Sequence, residues 1–460
     1  MTPRLQHLML LWLACVAAAC AQVPTALAPA SLSAALPPSS PEATAKAVQL
    51  AIATPRLVTL DAAALAVTRE RLQRGDAALQ GPLAALLRRA DEALRTPPRS
   101  VTHKITVPPS GSKHDYMSMG PYWWPNPDTS NGLPYVQRDG RRNPQATGNA
   151  LDSIRMQQML ADARDLALAF HFKGELRYAD KAAQVMRTWF LDPATRMNPS
   201  LRYGQAVPGV AEGRGIGIID TRDLWMAFDA LALIAPAASA GAAALSDSEQ
   251  RALRQWFIDY AGWLDTSQLG RDEAAERNNH GMFYDMQLAA LWLATGQPER
   301  ARQLLFDART RRFAVQFDAQ GLMPLELART RPFHYHTFTL EAATRMARHA
   351  DVLDATAALP AGDPRCAPLA TGPQCPLGLW RFEIDGKTLR KVLDRVADVV
   401  VDPASWSHAT RLEPQPLLEP ALPVLLMAQR AYAPHRYDAA LAVLRRAAPD
   451  HVAWLLWPQP

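Results

Sequence analysis

The chain has 460 residues, 48% of them hydrophobic, with a formal net charge of +5 and a pI of about 9.1. This composition excludes global disorder and allows a substantial core in one large domain or two ordinary ones. The positive charge is spread along the chain without a basic stripe, which argues against nucleic-acid binding. A diffuse excess of this kind can still attract a polyanion to a cleft, and it also fits ordinary solubility.

The N-terminal segment has the features of an export signal. Arg4 precedes an apolar run over residues 8–19, and Ala19-Cys20-Ala21 fits a small-residue cleavage site. The run is short for a bilayer span, so we expect no stable membrane helix here. We predict a signal peptide over residues 1–21 and a periplasmic or secreted protein, with a lipid anchor at Cys20 as the alternative to cleavage.

The rest of the chain is predominantly helical in pattern. Residues 22–55 are rich in Ala, Pro and Ser and are predicted to form a flexible lead-in, followed by a single domain over 56–460. The one weak strand candidate is 381–384. Apolar residues recur at helical spacing over 60–94, 150–171, 177–190, 222–235, 247–264, 281–295, 298–310, 338–350, 387–400, 419–432 and 437–447. This pattern predicts an all-α fold, for which an (α/α) toroid of helical hairpins, a solenoid and an irregular bundle all fit.

Two long segments, 113–144 and 197–217, interrupt the helical pattern and are predicted to be functional loops. Aromatic rings stack on sugars, and Arg or Lys beside them pairs with carboxylates, so we expect substrate contacts here. The alternative is that the aromatics plug one end of the helical domain. The candidate residues are Lys113, His114, Tyr122, Trp123, Trp124 and Arg138 in the first segment, and Gln205 and Arg214 in the Gly-rich second segment.

A third candidate is Asn278-Asn279-His280, which directly precedes an apolar helical stretch. Either asparagine can cap that helix, which is the structural alternative to ligand binding. An amide and an imidazole at a helix N-terminus also form a favourable anion site.

The fourth candidate lies between Glu326 and His336 and contains Arg329, Arg331, His334 and Tyr335. On one continuous helix, Arg329 and Tyr335 would point to different faces, but a bend near Pro332 can aim both into one cleft. The two histidines form a His-x-His pair, yet no third ligand has suitable spacing, so we predict no metal site. Packing at a helix end is the alternative role for each histidine.

The cysteines Cys366 and Cys375 lie in a Pro- and Gly-rich stretch. Without histidine partners nearby they make a poor zinc site. In an exported protein we expect them to form a disulfide that closes a surface loop.

These motifs, in this order, resemble the alginate lyase superfamily, and polysaccharide lyase family thirty-eight more than the family-five alginate lyases. The resemblance spans roughly residues 100–400. It is carried by Asp115-Tyr116, Pro121 to Pro125, Gly132 to Tyr135, Arg138 to Gly140, Asn143-Pro144, Met197 to Gln205, Gly213 to Gly217, Asn278-Asn279-His280, and Glu326 to Tyr335.

The resemblance implies an α/α toroid and a cofactor-free, metal-independent β-elimination on a polyuronate, either alginate-type polymannuronate or polyglucuronate. Carried over by motif, Asn279 and Arg329 would bind the carboxylate at the cleaved subsite. His280 would neutralise charge or act as base, and Tyr335 would be the main proton-transfer residue. In the family-five pattern the key tyrosine falls slightly later, near the position of Phe338 here.

The sequence leaves two other functions open. A glycoside hydrolase of an acidic polysaccharide would need two opposed carboxylic acids, and the available acids form no evident pair. They are Asp115, Asp139, Asp220 and Glu326. A non-catalytic polysaccharide-binding protein would use the same aromatic and arginine side chains without turnover.

Overall fold

Helices dominate the part of the chain that the computed structural model describes, namely residues 57–242, 245–356, 359–360 and 374–459. All of these residues belong to one compact unit, residues 47–460. No helix within them is both long and apolar enough to cross a membrane. The predicted signal peptide, lead-in and lipid anchor lie outside the described residues. So does Cys366, and of Cys375 only the backbone is described, so the disulfide stays a prediction.

The N-terminal half contains seven helices within the described residues, followed or interrupted by short 3-10 and π turns. They are α1 (Ala62–Gln73), α2 (Ala77–Arg95), α3 (Ser153–Lys173), α4 (Leu176–Met186), α5 (Trp225–Ile234), α6 (Asp247–Thr266) and α7 (Gln268–Ala275). The stretch of helical spacing over 60–94 forms two helices. Gly75 adopts a left-handed φ of 80° between them, and the Asp76 side chain accepts a hydrogen bond from the Ala78 amide, which caps the second helix.

The C-terminal half supplies the helices that carry most of the candidate site. They are α8 (Asn279–Ala294), α9 (Pro298–Ala308), α10 (Ala314–Gln316), α11 (Pro324–Leu327), α12 (Pro332–Thr356), α13 (Leu389–Val401), α14 (Ala421–Ala431), α15 (Asp438–Ala447) and α16 (Ala453–Leu456). The helical periodicity of the sequence predicted α8, α9, α13, α14 and α15 within a few residues, because their buried apolar faces are continuous. It predicted α12 only over 338–350, six residues short at each end.

Short strands pair in four places within the described residues, and two of these pairs lie in the segments that interrupt the helical pattern. The pairs are β1 (Met117–Met119) parallel to β4 (Tyr203–Ala206), and, antiparallel, β2 (Trp123–Trp124) with β3 (Val136–Gln137), β5 (Leu359–Pro360) with β6 (Gln374–Cys375), and β7 (Glu383–Ile384) with β8 (Lys387–Thr388). The β1–β4 pair joins the first interrupting segment to the second. Two to four residues carry too little alternation to predict a strand from sequence.

The helices pack around one core in which neighbours along the chain contact each other. Helix α3 packs on α2, α4 and α5, while α8 packs on α6, α9 and α12, and α12 reaches α14. The last helix returns to the first two, where the Thr68 hydroxyl donates to the Leu455 carbonyl at 2.8 Å. This return brings the two ends of the domain together.

Candidate functional site

The hydroxyl of Tyr335 is the centre of a hydrogen-bonded group. It lies 2.7 Å from Arg329 Nη2, which donates to it, and 3.0 Å from the hydroxyl of Tyr122. Helix α12 begins at Pro332, so Tyr335 occupies its first turn while Arg329 precedes it. The Arg329 guanidinium also lies over the Tyr335 ring, 3.8 Å from its centre. The expectation that a bend at Pro332 lets these two side chains meet is confirmed.

Asp139 holds Arg329 in this position. Its carboxylate accepts from Arg329 Nη2 at 2.9 Å and from the Thr330 hydroxyl at 3.0 Å. The next residue, Gly140, packs so closely on Thr330 that a Cβ there would lie 2.4 Å from the threonine oxygen. Sequence reasoning named Asp139 as a possible hydrolase acid and within a family motif, but gave it no partner. The structure makes it the partner of Arg329. We call Tyr122, Asp139, Arg329 and Tyr335 the tyrosine side.

The environment of Tyr335 keeps its phenol protonated. The side chain is 5% exposed, and this burial raises the pKa of Tyr335 well above its ordinary value, with Tyr122 adding to the rise. Arg329 opposes that rise, because its charge favours the phenolate. The acidity of this hydroxyl therefore depends on how tightly Arg329 is held.

A buried carboxylate that sequence reasoning missed anchors the helix carrying Tyr335. Glu413 accepts from the backbone amides of Phe333 at 2.6 Å and His334 at 2.9 Å, at the N-terminus of α12. Nearby, the Thr410 hydroxyl donates to the Thr330 carbonyl at 2.6 Å. A carboxylate at this end accepts hydrogen bonds from amides that have no partner within the helix, and its negative charge interacts favourably with the helix dipole. No local sequence signal could have found it, because it is about eighty positions from the helix it caps.

The Asn278-Asn279 pair divides into a cap and a buried partner of Glu326. Asn278 caps α8, its side-chain oxygen accepting from the His280 amide at 2.9 Å, as the structural alternative predicted. Asn279 is 1% exposed, and its side-chain nitrogen donates to both carboxylate oxygens of Glu326, at 3.1 and 3.0 Å. In this structure the Asn279 amide is therefore committed to Glu326.

His280 hydrogen-bonds to a second buried carboxylate. Its Nδ1 lies 2.9 Å from Glu273 Oε1, and Glu273 itself has no exposed surface. Sequence reasoning did not single out Glu273, although it precedes His280 by only seven residues. We call Glu273, Asn279, His280 and Glu326 the histidine side.

Helix α11 and the turn after it join the two sides. Glu326 in α11 binds Asn279, and Arg329, three residues later, binds Tyr335. The charge of Arg329 lowers the pKa values of both His280 and Glu326, although other influences outweigh it at each. The structure thus brings Asn279, His280, Arg329 and Tyr335 into one region.

The loop that contains Tyr122, Trp123 and Trp124, called the aromatic loop below, borders this region, and an arginine lies over each tryptophan ring. The Arg214 guanidinium lies 5.5 Å from the Trp123 ring centre, and Arg138 lies 5.6 Å from that of Trp124. Both tryptophans are partly buried, so their rings pack on the protein and also keep some exposed surface. Trp123 and Tyr122 are neighbours in the chain, which puts this aromatic face beside the tyrosine side.

Gln205 lies at the end of the β1–β4 pairing in a strained backbone conformation. Its φ is 47°, which is uncommon for a residue with a side chain and is frequent at functional sites. Its side chain donates to Asp220 at 3.1 Å, and its carbonyl accepts from Arg214 at 2.8 Å. The nearby Gly217 packs on the backbone of Gly204, so a protein contact and not a ligand accounts for that glycine.

The remaining predicted residues lie outside the tyrosine side or at the start of helix α12. Lys113 is exposed, and His114 hydrogen-bonds the Arg196 carbonyl at 2.6 Å, so neither contacts the tyrosine side. His334 stacks on Phe338, and burial together with nearby arginines lowers the pKa of His334 to about 4.

Arg331 is exposed, and its charge is one of those that act on His334. His336 is buried and accepts from the Met323 amide at 2.9 Å, which fits the packing role. Within the described ranges, no three His, Cys, Asp or Glu side chains group as a metal ion would need.

A cavity in the described part of the chain lies away from this region. It has a volume of about 220 Å³ and is lined mainly by apolar side chains of α5, α6 and the turn between them, including Phe228, Leu253 and Phe257. None of the candidate residues lines it. The candidate site is therefore separate from this cavity.

Comparison with known proteins identifies the family. The family model described as alginate lyase matches residues 100–359. A crystal structure of an alginate lyase from Bacteroides ovatus matches with a TM-score of 0.76 and 30% identity, over 88% of this chain and all of that one. An alginate lyase from Sphingomonas species A1 shares the fold at a TM-score of 0.50 and 14% identity, over 88% of this chain and 97% of that one.

A comparison with curated proteins found no match. The family match covers more than half of the chain, and the structural relatives are helical toroids. The chain therefore belongs to the alginate lyase family and is a polysaccharide lyase with an all-α toroid fold.

Proposed function

We propose that the protein cleaves a polyuronate by metal-independent β-elimination, with polymannuronate of the alginate type or polyglucuronate as substrate. The observation that carries the proposal is the Tyr335 hydroxyl held between the Arg329 guanidinium at 2.7 Å and the Tyr122 hydroxyl at 3.0 Å. A phenol beside a fixed positive charge, close to an imidazole, is equipped for proton transfer next to a carboxylate. The Bacteroides ovatus relative, an alginate lyase by its title, supports the same substrate class.

The chemistry requires one proton to leave C5 of the uronate and the C4–oxygen bond to break. Neutralising the adjacent carboxylate stabilises the enolate-like intermediate, and we assign that task to His280, Arg329 and Asn279. For Asn279, one amide hydrogen must turn from Glu326 to the substrate. Tyr335 takes the C5 proton as phenolate and returns it to the leaving oxygen in a syn elimination. The products are an unsaturated sugar and a new reducing end.

The charge balance around Tyr335 supports its role as base. Burial keeps the free phenol protonated, but Arg329 favours the phenolate and is itself fixed by Asp139. The normal phenol pKa is about 10. We infer that the reactive phenolate forms as a minor species, whose population Arg329 increases.

We assign further substrate contacts to the aromatic loop and to the polar and charged side chains around it. Trp123 and Trp124 offer partly exposed ring faces, each with an arginine over it. Such surfaces stack on sugar rings and pair with carboxylates. The assigned contact residues are Lys113, His114, Tyr122, Trp123, Trp124, Arg138, Gln205, Arg214, Asn278, Arg331 and His334.

We also propose that the protein is exported and works in the periplasm or outside the cell. The apolar run over residues 8–19 and the small-residue site at residues 19–21 support this. Lipidation at Cys20 is the alternative to cleavage. The order of motifs favours polysaccharide lyase family thirty-eight within the superfamily.

The test is the ultraviolet absorbance of unsaturated uronate during incubation with polymannuronate, polyguluronate and polyglucuronate separately, each with a chelator. We expect absorbance to rise on polymannuronate or polyglucuronate. Loss of that rise in chelator, restored by a divalent metal, would overturn metal independence. No rise on any of the three polymers would overturn the polyuronate assignment.

A further inference from the structure

The ring of His280 is held by one nitrogen and leaves the other free for a ligand. Nδ1 donates to Glu273 Oε1 at 2.9 Å. Within the described ranges Nε2 has no hydrogen-bond partner, and 17% of the side chain remains exposed. A carboxylate on Nδ1 fixes the tautomer, so any proton that His280 offers outward is carried on Nε2.

Burying the carboxylate of Glu273 at this position is unfavourable in free energy. Its side chain has no exposed surface, and its second oxygen, Oε2, has no hydrogen-bond partner among the described residues. Removing a carboxylate from water costs several kcal/mol unless it is well paired, so a neutral side chain would serve stability better. The placement of Glu273 therefore points to a task beyond folding.

The backbone around Glu273 is rigidly held. The buried Arg312 donates to the carbonyls of Ala274 at 2.7 Å and Glu276 at 2.6 Å, across the corner between α7 and α8. On the other side, a Cβ at Gly215 would lie 3.0 Å from the Glu273 nitrogen, so the neighbouring segment packs directly on the helix. Glu273 has little freedom to move away from His280.

We propose that Glu273 is a positioning residue for the elimination, fixing the His280 ring so that a charged imidazolium presents Nε2–H to the substrate carboxylate. This inference rests on the proposed function. It assigns His280 to charge neutralisation and leaves Tyr335 as the base.

Electrostatics supports a charged His280. Burial opposes the imidazolium, but the Glu273 carboxylate, helped by Glu276, outweighs it and raises the pKa of His280. Arg329 acts in the opposite direction, and Glu326 also feels the histidine charge. Because the pKa is raised, His280 keeps its proton until the pH exceeds that value. Without the Glu273 charge, burial and Arg329 would make it lose the proton at a lower pH.

This arrangement predicts a particular pH profile. The rate requires Tyr335 deprotonated and His280 protonated, and the pKa of Tyr335 is the higher of the two. As pH rises, kcat/KM increases because phenolate increases, until the pKa of His280 is reached. Above that point the gain in phenolate and the loss of imidazolium cancel, so kcat/KM levels off.

The experiment compares Glu273→Gln with Glu276→Gln across about pH 5 to about pH 9, the range in which histidine titrates. Glutamine keeps the volume of glutamate and removes its charge. Glu276 is the matched control, because it is near His280 in the same corner but does not hydrogen-bond to it. Each one-unit fall in the pKa of His280 lowers the plateau of kcat/KM about tenfold and leaves the acidic branch unchanged.

We expect Glu273→Gln to coincide with wild type at acidic pH, to level off at a lower pH, and to fall at least about tenfold on the plateau. Glu276→Gln should change the plateau about threefold or less. A Glu273→Gln profile reduced equally at every pH, or one that matches Glu276→Gln, would overturn the inference.

A direct titration of His280 by NMR separates this inference from the proposed function. His280→Gln identifies the resonance, and unfolding temperatures show whether each variant is folded. We expect Glu273→Gln to lower the pKa of His280 even if no polyuronate is cleaved. An unchanged His280 pKa in folded Glu273→Gln would overturn the positioning role while wild-type activity remained intact. If Glu273→Gln does not fold, Glu273→Asp takes its place. Aspartate keeps the charge but moves it away from the His280 ring, so this variant must also lower the pKa of His280.

Discussion

The tyrosine side and the histidine side reach the same region by different routes. Tyr122, Asp139 and Tyr335 come from segments up to 213 positions apart and meet only through tertiary folding. Glu273 and His280 are seven positions apart on a single helical corner. The tyrosine side is thus assembled from loops and a helix start. The histidine side is built on helices α7, α8 and α11, and its Glu273–His280 pair is local in sequence.

The two sides also differ in how exposed their charged groups are. The tyrosine side is partly exposed around a buried phenol, with Arg329 and Asp139 each about a quarter exposed. The histidine side contains two carboxylates that are almost fully buried, Glu273 and Glu326. We infer that proton transfer belongs to the side that loops can adjust, and that fixed charge belongs to the side that the helices hold.

Tyr335→Phe should have the largest effect and should act on kcat. Removing the only proposed base and acid is expected to lower kcat about a thousandfold, with little change in KM. Initial rates of unsaturated product formation measure this. Tyr135→Phe, which changes a tyrosine of the aromatic loop whose hydroxyl contacts Gln145, is the control and should stay near wild type. A Tyr335→Phe variant with wild-type kcat would remove the tyrosine side from the chemistry.

Asp139→Asn should weaken the tyrosine side without removing it. Arg329 would lose its charged partner and hold the phenol less firmly, so we expect kcat to fall about tenfold, or roughly 1.4 kcal/mol. Steady-state kinetics measure the loss. Asp128→Asn removes the same charge from an exposed position in the same loop region and should change little. Equal losses in both variants would mean that only overall charge matters.

Trp123→Ala tests whether the aromatic loop binds sugar. Loss of the ring beneath Arg214 should raise KM about tenfold and leave kcat nearly unchanged, because stacking acts on the bound ground state and the transition state alike. Trp123→Phe keeps an aromatic face and should recover most of the affinity. A fall in kcat with unchanged KM would instead indicate that Trp123 positions Tyr122 and does not bind sugar.

Glu413→Gln should have the smallest effect, and mainly on stability. The variant loses the negative charge at the N-terminus of α12, which costs about 1 kcal/mol of unfolding free energy. Thermal unfolding should show a drop of about 2 °C for a domain of this size. Glu419→Gln, an exposed carboxylate six residues later, is the control. A drop of the same size in Glu419→Gln would contradict the capping role.

The fold followed from the sequence where burial is periodic. The helices α3, α6 and α13 have periodic apolar faces, and their positions could be predicted from spacing alone. The family resemblance supplied the toroid, which periodicity could not choose over a bundle. The strands β1 to β4 could not be predicted, because each is only two to four residues long and is defined by its partner.

The site was predicted where motifs carry unusual residue types and missed where partners are distant. Tyr335, Arg329 and His280 stand out because phenols, guanidiniums and imidazoles are chemically distinctive. Glu413 and the Asp139–Arg329 pair depend on contacts across about 80 and 190 positions. Glu273 was missed for a different reason, since an acidic residue on a helix usually faces solvent.

The most direct test of the central claim, that both sides act on one uronate, is a crystal structure of the Tyr335→Phe variant with a bound oligouronate. We predict that one sugar carboxylate lies within hydrogen-bond distance of His280 Nε2 and Arg329, with its C5 hydrogen facing residue 335. A carboxylate bound away from His280, or a C5 hydrogen on the opposite face from residue 335, would contradict the account.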